Sequence, residues 1–270
     1  MPKFNKQKFK DEFKKVVGSR FWRHIHKETL IPFRERKIPD RIKFLDELSE
    51  RIIQRKYDPY PPRSYVVSHK QNLVVRFIPA LSREDYCVYF FCIKKLEDEI
   101  AHNRVIGTYG GWRLGGKIRR LENFDEVSSV PDFSYDRFAW LKAWTEFQRK
   151  AYNLYRLNKK LKYFYIFDIA NFYDSIRLDR LELITREVAD KRKTFEVNLL
   201  FYFLCNWNRG YLNYERQSMG IPQDEVGDCS RILGNFYLQE YDNYLYKLTK
   251  KENSAYLRYA DDVNGVNSIF

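Results

Sequence analysis

The sequence has little of what disulfide frameworks and zinc sites are built from. It contains only four cysteines and four histidines in 270 residues. The cysteines form no CxxC pair, and the histidines offer no metal-ligand spacing near them. His24 and His26 lie two positions apart in a predicted helix and therefore face different sides of it. We expect free thiols in a reducing compartment rather than a stapled or zinc-bound fold.

Long apolar runs are also missing. No stretch approaches the roughly 18 consecutive apolar residues that a membrane-spanning helix needs. The first segment, "MPKFNKQKFKDEFKK", lacks the apolar centre of a secretory signal peptide. We therefore expect an intracellular protein, located in the cytoplasm, that does not use a membrane as a partner.

Acidic residues are outnumbered, which points to a polyanionic partner. The chain has 49 lysines and arginines against 36 aspartates and glutamates, giving a formal charge of +13. Nucleic acid is the first candidate for such a partner and an anionic membrane surface the second. Aromatic residues reach 17%, and beside basic residues they can stack on unpaired bases, although most must belong to the core.

The hydrophobic periodicity alternates between helix and strand and predicts an α+β fold. Residues 41–55 form an amphipathic helix after Asp40, residues 64–78 a β-hairpin, and a helix begins after Ser82. The run "YFYIFDI" predicts a largely buried strand that ends near Ile169. The glycine cluster "GTYGGWRLGGK" matches neither GxxxxGK[ST] nor GxGxxG, so by itself it is only a weak phosphate-binding signal.

Three carboxylates stand where strands end. Asp168 lies near the end of the predicted buried strand, and Asp261 and Asp262 form the tip of a predicted hairpin about ninety residues later. If these strands are neighbours in one sheet, the carboxylates converge, and divalent cations relieve their repulsion. Hard oxygen ligands select Mg²⁺, and two such ions about 3.5 to 4 Å apart are typical of phosphoryl transfer. A solvated turn remains the simpler interpretation of Asp261 and Asp262.

The segments "FDIANFYDSI", "MGIPQ" and "YADD" resemble, in order and spacing, the palm motifs of bacterial reverse transcriptases. The chain is most similar to the group II intron, retron, abortive-infection and other defence-associated types. The similarity extends over residues 64–266 and includes "RFIPALSREDY" and "TYGGWRLGG". It implies an N-terminal basic helical extension at 1–56, fingers at 57–160, and a palm at 161–270 whose antiparallel sheet packs on helices.

The resemblance assigns roles to individual residues. Asp168, Asp261 and Asp262 match the catalytic, metal-binding carboxylates, with Asp262 contributing less directly. Tyr173 matches the aromatic gate that leaves no room for a ribose 2′-hydroxyl. The remaining nucleotide contacts are Lys70, Arg76, Gly220 and Gln223, and the primer and template contacts are Tyr259, Arg113 and Lys117.

Each of these assignments has a structural alternative. Tyr173 could simply pack in the core, Lys70 could be a solvated hairpin charge, and Arg76 a salt-bridge partner. A glycine-rich surface loop accounts for Arg113 and Lys117 almost as well.

Two features depart from the family pattern. The Pro-Gln pair is followed by Asp224 where glycine is usual, and Asp228 adds a second acid. Both put ordinary template handling in doubt and are closer to the defence-associated groups. The thumb that the family pattern requires is absent from this sequence, so we expect a fragment of a longer polypeptide.

The resemblance implies an RNA-directed DNA polymerase of antiphage defence that uses two Mg²⁺ ions, with Mn²⁺ as an alternative. Its partners would be dNTPs, an RNA template or noncoding RNA, and the DNA product. Templated synthesis and untemplated or protein-primed synthesis both stay open, as do RNA docking and a homo-oligomer interface for the N-terminal helices. The alternatives are a polymerase-derived RNA-binding scaffold without catalysis and an RNA-dependent RNA polymerase, which Tyr173 disfavours.

Overall fold

The fold is α+β, as the sequence predicts, and its described residues form two separate β-sheets among many helices. The computed structural model describes residues 5–29, 39–69, 75–101, 104–110, 114, 139–157, 163–209, 220–223, 228–251 and 254–267. The helices are α1 (Lys6–Val16), α2 (Ser19–Thr29), α3 (Arg41–Ile53), α4 (Arg83–Ile100), α5 (Ala139–Leu157), α6 (Phe172–Ser175), α7 (Leu178–Val188), α8 (Thr194–Asn206), α9 (Cys229–Tyr237) and α10 (Gln239–Lys251). The strands are β1 (Ser64–His69), β2 (Val75–Ala80), β3 (Thr108–Tyr109), β4 (Tyr163–Asp168), β5 (Ala255–Tyr259) and β6 (Asp262–Asn267).

Helix α4 is the centre of the larger hydrophobic core. It begins where the sequence predicts, because the Ser82 side chain accepts a hydrogen bond from the Asp85 amide and caps the first turn. Most of its residues are buried, and it packs against α8, α9 and the N-terminal helices. Among the described residues, no helix combines the length and apolarity needed to cross a membrane.

The N-terminal helices are part of this core. Phe9 and Phe13 of α1 are buried, and both rings contact Phe91 of α4 with centroid distances of 5.4 and 4.9 Å. The outer face of α1 remains charged, and its Lys10 and Lys14 pair with Glu50 and Asp46 of α3. Helix α1 therefore buries an aromatic stripe against α4 and places Lys10 and Lys14 in partly buried ion pairs with α3.

The predicted hairpin is present as β1 and β2, which pair antiparallel from Ser64 opposite Ala80 to His69 opposite Val75. The Tyr65 hydroxyl donates a 3.0 Å hydrogen bond to Oδ1 of Asn208, just beyond α8. Burial raises the pKa of Tyr65, and the carboxylate of Asp174 raises it further. The base of the hairpin is therefore joined to the end of α8.

The second sheet has the strand order β3-β5-β6-β4. Its β4, β6 and β5 are antiparallel, while the two residues of β3 run parallel to β5. Helix α5 covers one face of the sheet and α10 contacts β5 from the other, because alternate residues of β5 point in opposite directions.

Strand β4 differs from the prediction of a largely buried strand. It is an edge strand that pairs only with β6 among the described residues, and most of its side chains are exposed. Ile166 is 72% exposed and Phe167 is 47% exposed. Apolar runs indicate that a segment is a strand, but they do not reveal whether it lies at the centre or the edge of its sheet.

Candidate active site

The two sequence segments that carry the acids are hydrogen-bonded neighbours in one sheet. In the antiparallel pairing of β4 with β6, Asp168 lies directly opposite Asp262. Directly opposed residues have β-carbons about 4.5 to 5.5 Å apart and point to the same face of the sheet. The two strands are therefore neighbours, which is the condition under which the sequence predicts that the carboxylates converge. The register places Asp262, rather than Asp261, opposite Asp168.

The turn between β5 and β6 presents Asp261 and Asp262 through an unusual backbone conformation. Ala260 has φ +52°, in the left-handed region that residues with a β-carbon seldom adopt. The carbonyl of Asp261 accepts a 3.1 Å hydrogen bond from the amide of Ile169, the residue after β4. This bond joins the turn to the end of β4 beside Asp168.

The donor chemistry of these carboxylates suits a magnesium ion only in part. Asp168 is exposed, and Asp261 and Asp262 are half-buried. No group of three or more acidic, histidine or cysteine side chains in the described parts of the chain could by itself hold a metal ion. Mg²⁺ is usually held by one or two carboxylates, several waters and substrate phosphates. The opposed pair fits that partial ligand set and does not form a complete protein cage.

Tyr259 lies behind the acids and is a core residue in this structure. It is 6% exposed and packs edge-on against Trp144 of α5 with a centroid distance of 5.0 Å. Burial raises the pKa of Tyr259 to about 12, and the carboxylates of Asp262 and Asp261 contribute to this rise. Tyr259 lies opposite Asp262 in the pairing of β5 with β6, and its primer-supporting role stays a prediction.

Tyr173 and the Gly-Ile-Pro-Gln turn, predicted to contact the nucleotide together, lie against each other. The amide of Ile221 donates a 3.1 Å hydrogen bond to the Tyr173 carbonyl. A β-carbon on Gly220 would lie 1.9 Å from that same carbonyl oxygen, so only glycine fits there. Tyr173 is half-buried at the edge of the larger core, and Gln223 is half-buried as well. The nucleotide roles of these residues remain predictions.

The second of the two unexpected acids, Asp228, is paired with a cation. Its carboxylate accepts a hydrogen bond from Arg231, whose guanidinium lies 5.7 Å from the ring centroid of Tyr259. Burial raises the pKa of Asp228, while the charges of Arg231 and His24 oppose that rise. The negative charge of Asp228 is therefore balanced by the positive charge of Arg231.

Several predicted residues cannot be placed in the site. Lys70, Arg113, Lys117 and Asp224 lie outside the described residues. Arg76 is described through its backbone alone, which pairs with Ser68 in the hairpin.

The sequence reasoning missed a buried ion pair beneath the turn. Arg258 of β5 and Asp242 of α10 are both fully buried and joined by a salt bridge. Burial lowers the pKa of Arg258, but the hydrogen bond and charge of Asp242 outweigh it and raise the pKa. One sequence feature could have indicated this ion pair. The apolar strand "AYLRYA" contains a single arginine, and a buried cation needs a partner of opposite charge.

Comparison with known proteins identified no family: no family model matches the chain. No curated protein shows significant similarity to it either.

Proposed function

We propose that this chain carries the catalytic part of an RNA-directed DNA polymerase, with fingers and palm subdivisions. The observation that carries the proposal is the β4–β6 register, with Asp168 directly opposite Asp262. Paired carboxylates at adjacent strand ends supply part of the ligand set that a two-metal phosphoryl transfer uses. The order of the three sequence motifs and the charge of +13 support the same function.

In this proposal the carboxylates of Asp168, Asp261 and Asp262 hold two Mg²⁺ ions. The ions would supply charge neutralisation for the triphosphate and activation of the primer 3′-hydroxyl. Asp168 and Asp262 are held at a fixed separation by the sheet, so the chain supplies preorganised ligands. Tyr173 would lie under the sugar of a dNTP, and the turn at Gly220 fixes its backbone.

The same proposal assigns roles to the other parts of the chain. The β1–β2 hairpin would supply Lys70 and Arg76, whose positive charges would neutralise the triphosphate. The basic surface would hold an RNA template or a structured noncoding RNA, together with the DNA product. The sequence resemblance to defence-associated enzymes supports a role in antiphage defence.

The test is primer extension on an RNA template with dNTPs, and separately with NTPs. The double variant Asp261→Ala and Asp262→Ala should lose incorporation by at least about a thousandfold while keeping its circular dichroism spectrum. Asp11→Asn is the matched control, because it removes one exposed carboxylate from α1, outside the site. Incorporation that survives in the double variant would exclude the mechanism.

The same assay separates the competing functions. A polymerase-derived RNA-binding scaffold would bind RNA with a steep salt dependence, and neutralising the acids would leave that binding unchanged. An RNA-dependent RNA polymerase would incorporate NTPs in preference to dNTPs.

A further inference from the structure

The ion pair between Arg258 and Asp242 makes further hydrogen bonds to other residues of the core. Arg258 Nε lies 2.7 Å from Oδ1 of Asp242, and Nη2 lies 2.5 Å from Oδ2. This is the bidentate geometry in which a planar guanidinium binds a carboxylate most strongly. The Tyr256 hydroxyl donates a third hydrogen bond, of 2.6 Å, to Oδ1. The Asp242 carboxylate is thus well satisfied although it is fully buried.

The remaining terminal nitrogen of Arg258 reaches the turn that carries the acids. Nη1 donates to the carbonyl oxygen of Ala260 and to Oδ1 of Asn235, both at 2.7 Å. The amide nitrogen of the Asn235 side chain in turn donates to the carbonyl of Gly110. A single guanidinium therefore connects α10, α9 and the β5–β6 turn, and through Asn235 the loop after β3.

The hydrogen bond from Arg258 to the Ala260 carbonyl is made at a residue with an unusual backbone conformation. Ala260 has φ +52°, a conformation that persists in a residue with a β-carbon only where the surroundings hold it. The next carbonyl, that of Asp261, is held from the other side by the Ile169 amide. Two consecutive carbonyls are thus fixed, one by Arg258 and one by the end of β4, immediately before Asp262 faces Asp168.

We propose that Arg258 is a positioning residue that holds the turn at Ala260 and thereby sets the placement of Asp261 and Asp262 relative to Asp168. Lysine cannot replace it, since one ammonium group cannot span both oxygens of Asp242 and also reach Ala260. The part of this proposal that concerns catalysis rests on the proposed function, whereas the part that concerns the turn does not.

The experiment compares wild type with Arg258→Lys by amide hydrogen exchange and by primer-extension kinetics. Exchange in residues 259–263 and at Ile169 should quicken at least tenfold, while exchange in α4 and α8 stays unchanged. The kcat for incorporation should fall about a hundredfold with KM for dNTP within about threefold, because the acids are displaced while the nucleotide contacts remain. Leu204→Ala, in the buried part of α8, is the control for a general loss of stability.

A second variant keeps the test decisive if Arg258→Lys does not fold. Asn235→Ala leaves the bonds of Arg258 to Asp242 and Ala260 intact and removes the hydrogen bonds of the Asn235 side chain to Nη1 and to the Gly110 carbonyl. The turn should therefore loosen with a smaller increase in exchange. Exchange in 259–263 that equals wild type in the folded variant overturns the proposal. So does a rise spread evenly over the chain, as in Leu204→Ala. If the wild-type protein incorporates no nucleotide, the proposed function fails, and the exchange data alone decide the role of Arg258.

Discussion

The ring of Tyr259 lies against the backbone of Gly110, so closely that a β-carbon on Gly110 would be 2.4 Å from the ring carbon Cε2. Gly110 also has φ +74°, a conformation that favours glycine. The loop after β3 thereby supports the last residue of β5, immediately before the turn that carries Asp261 and Asp262.

Gly110→Ala should therefore destabilise the protein by about 2 kcal/mol, because it combines a steric clash with backbone strain. The measurement is the free energy of unfolding from urea denaturation. In a Tyr259→Leu background the cost should shrink, since a smaller side chain relieves the clash while the φ strain remains. Equal costs in both backgrounds would show that the ring contact is not the cause.

The opposed pair of Asp168 and Asp262 predicts a metal-linked stability. Without divalent metal, Asp168→Asn should raise the free energy of unfolding by about 0.5 kcal/mol, because it removes one of two directly facing like charges. Thermal melts with and without Mg²⁺ or Mn²⁺ should show stabilisation by metal in wild type and little in the variant. Asp11→Asn should respond to metal as wild type does. An unchanged metal response in Asp168→Asn would exclude this residue as a ligand.

Tyr173 should set the choice between deoxynucleotides and ribonucleotides. If Tyr173 lies beneath the sugar, as proposed, Tyr173→Val should open space there and raise the ratio of NTP to dNTP incorporation by at least about tenfold. Competitive incorporation with mixed substrates measures that ratio. Tyr155→Val, which shortens an exposed tyrosine of α5, should leave it unchanged. If the Tyr173 variant keeps the wild-type ratio but loses stability, the ring has only a packing role.

Asp85 should make the stability of the larger core depend on pH. Burial raises the pKa of this carboxyl from 3.8 to about 6, even though hydrogen bonds from Ser82, Tyr57 and the Tyr60 amide favour its charged form. A raised pKa in the folded state means that the contribution is complete below pH 4. It is lost as pH rises to about 6, because the unfolded chain releases this proton first.

The loss should amount to about 3 kcal/mol between pH 4 and pH 7. Asp85→Asn does not titrate, so the wild-type free energy of unfolding should fall relative to the variant over this interval. Urea denaturation at a series of pH values measures the difference. Parallel profiles for the two proteins would contradict the raised pKa.

Local patterns were sufficient to predict several elements of this fold. The start of α4 follows from Ser82 as a cap with acids behind it, and the β1–β2 hairpin follows from two β-rich runs around a polar tip. These features depend on interactions between residues that are close in sequence, so they can be predicted from the sequence alone. The acids Asp168, Asp261 and Asp262 were found for the same reason, since each interrupts or ends an apolar segment.

Long-range partners were decided only by the tertiary structure. The edge position of β4, the register of Asp168 with Asp262, and the bonds from Arg258 to Asp242 and Ala260 each join segments that are separate in the chain or buried by other elements. Sequence periodicity identifies which face of a strand is apolar, but sheet order and register depend on the whole core. The sequence by itself therefore determined which residues carry charge at strand ends, and the register of β4 with β6 determined which of those charges face one another.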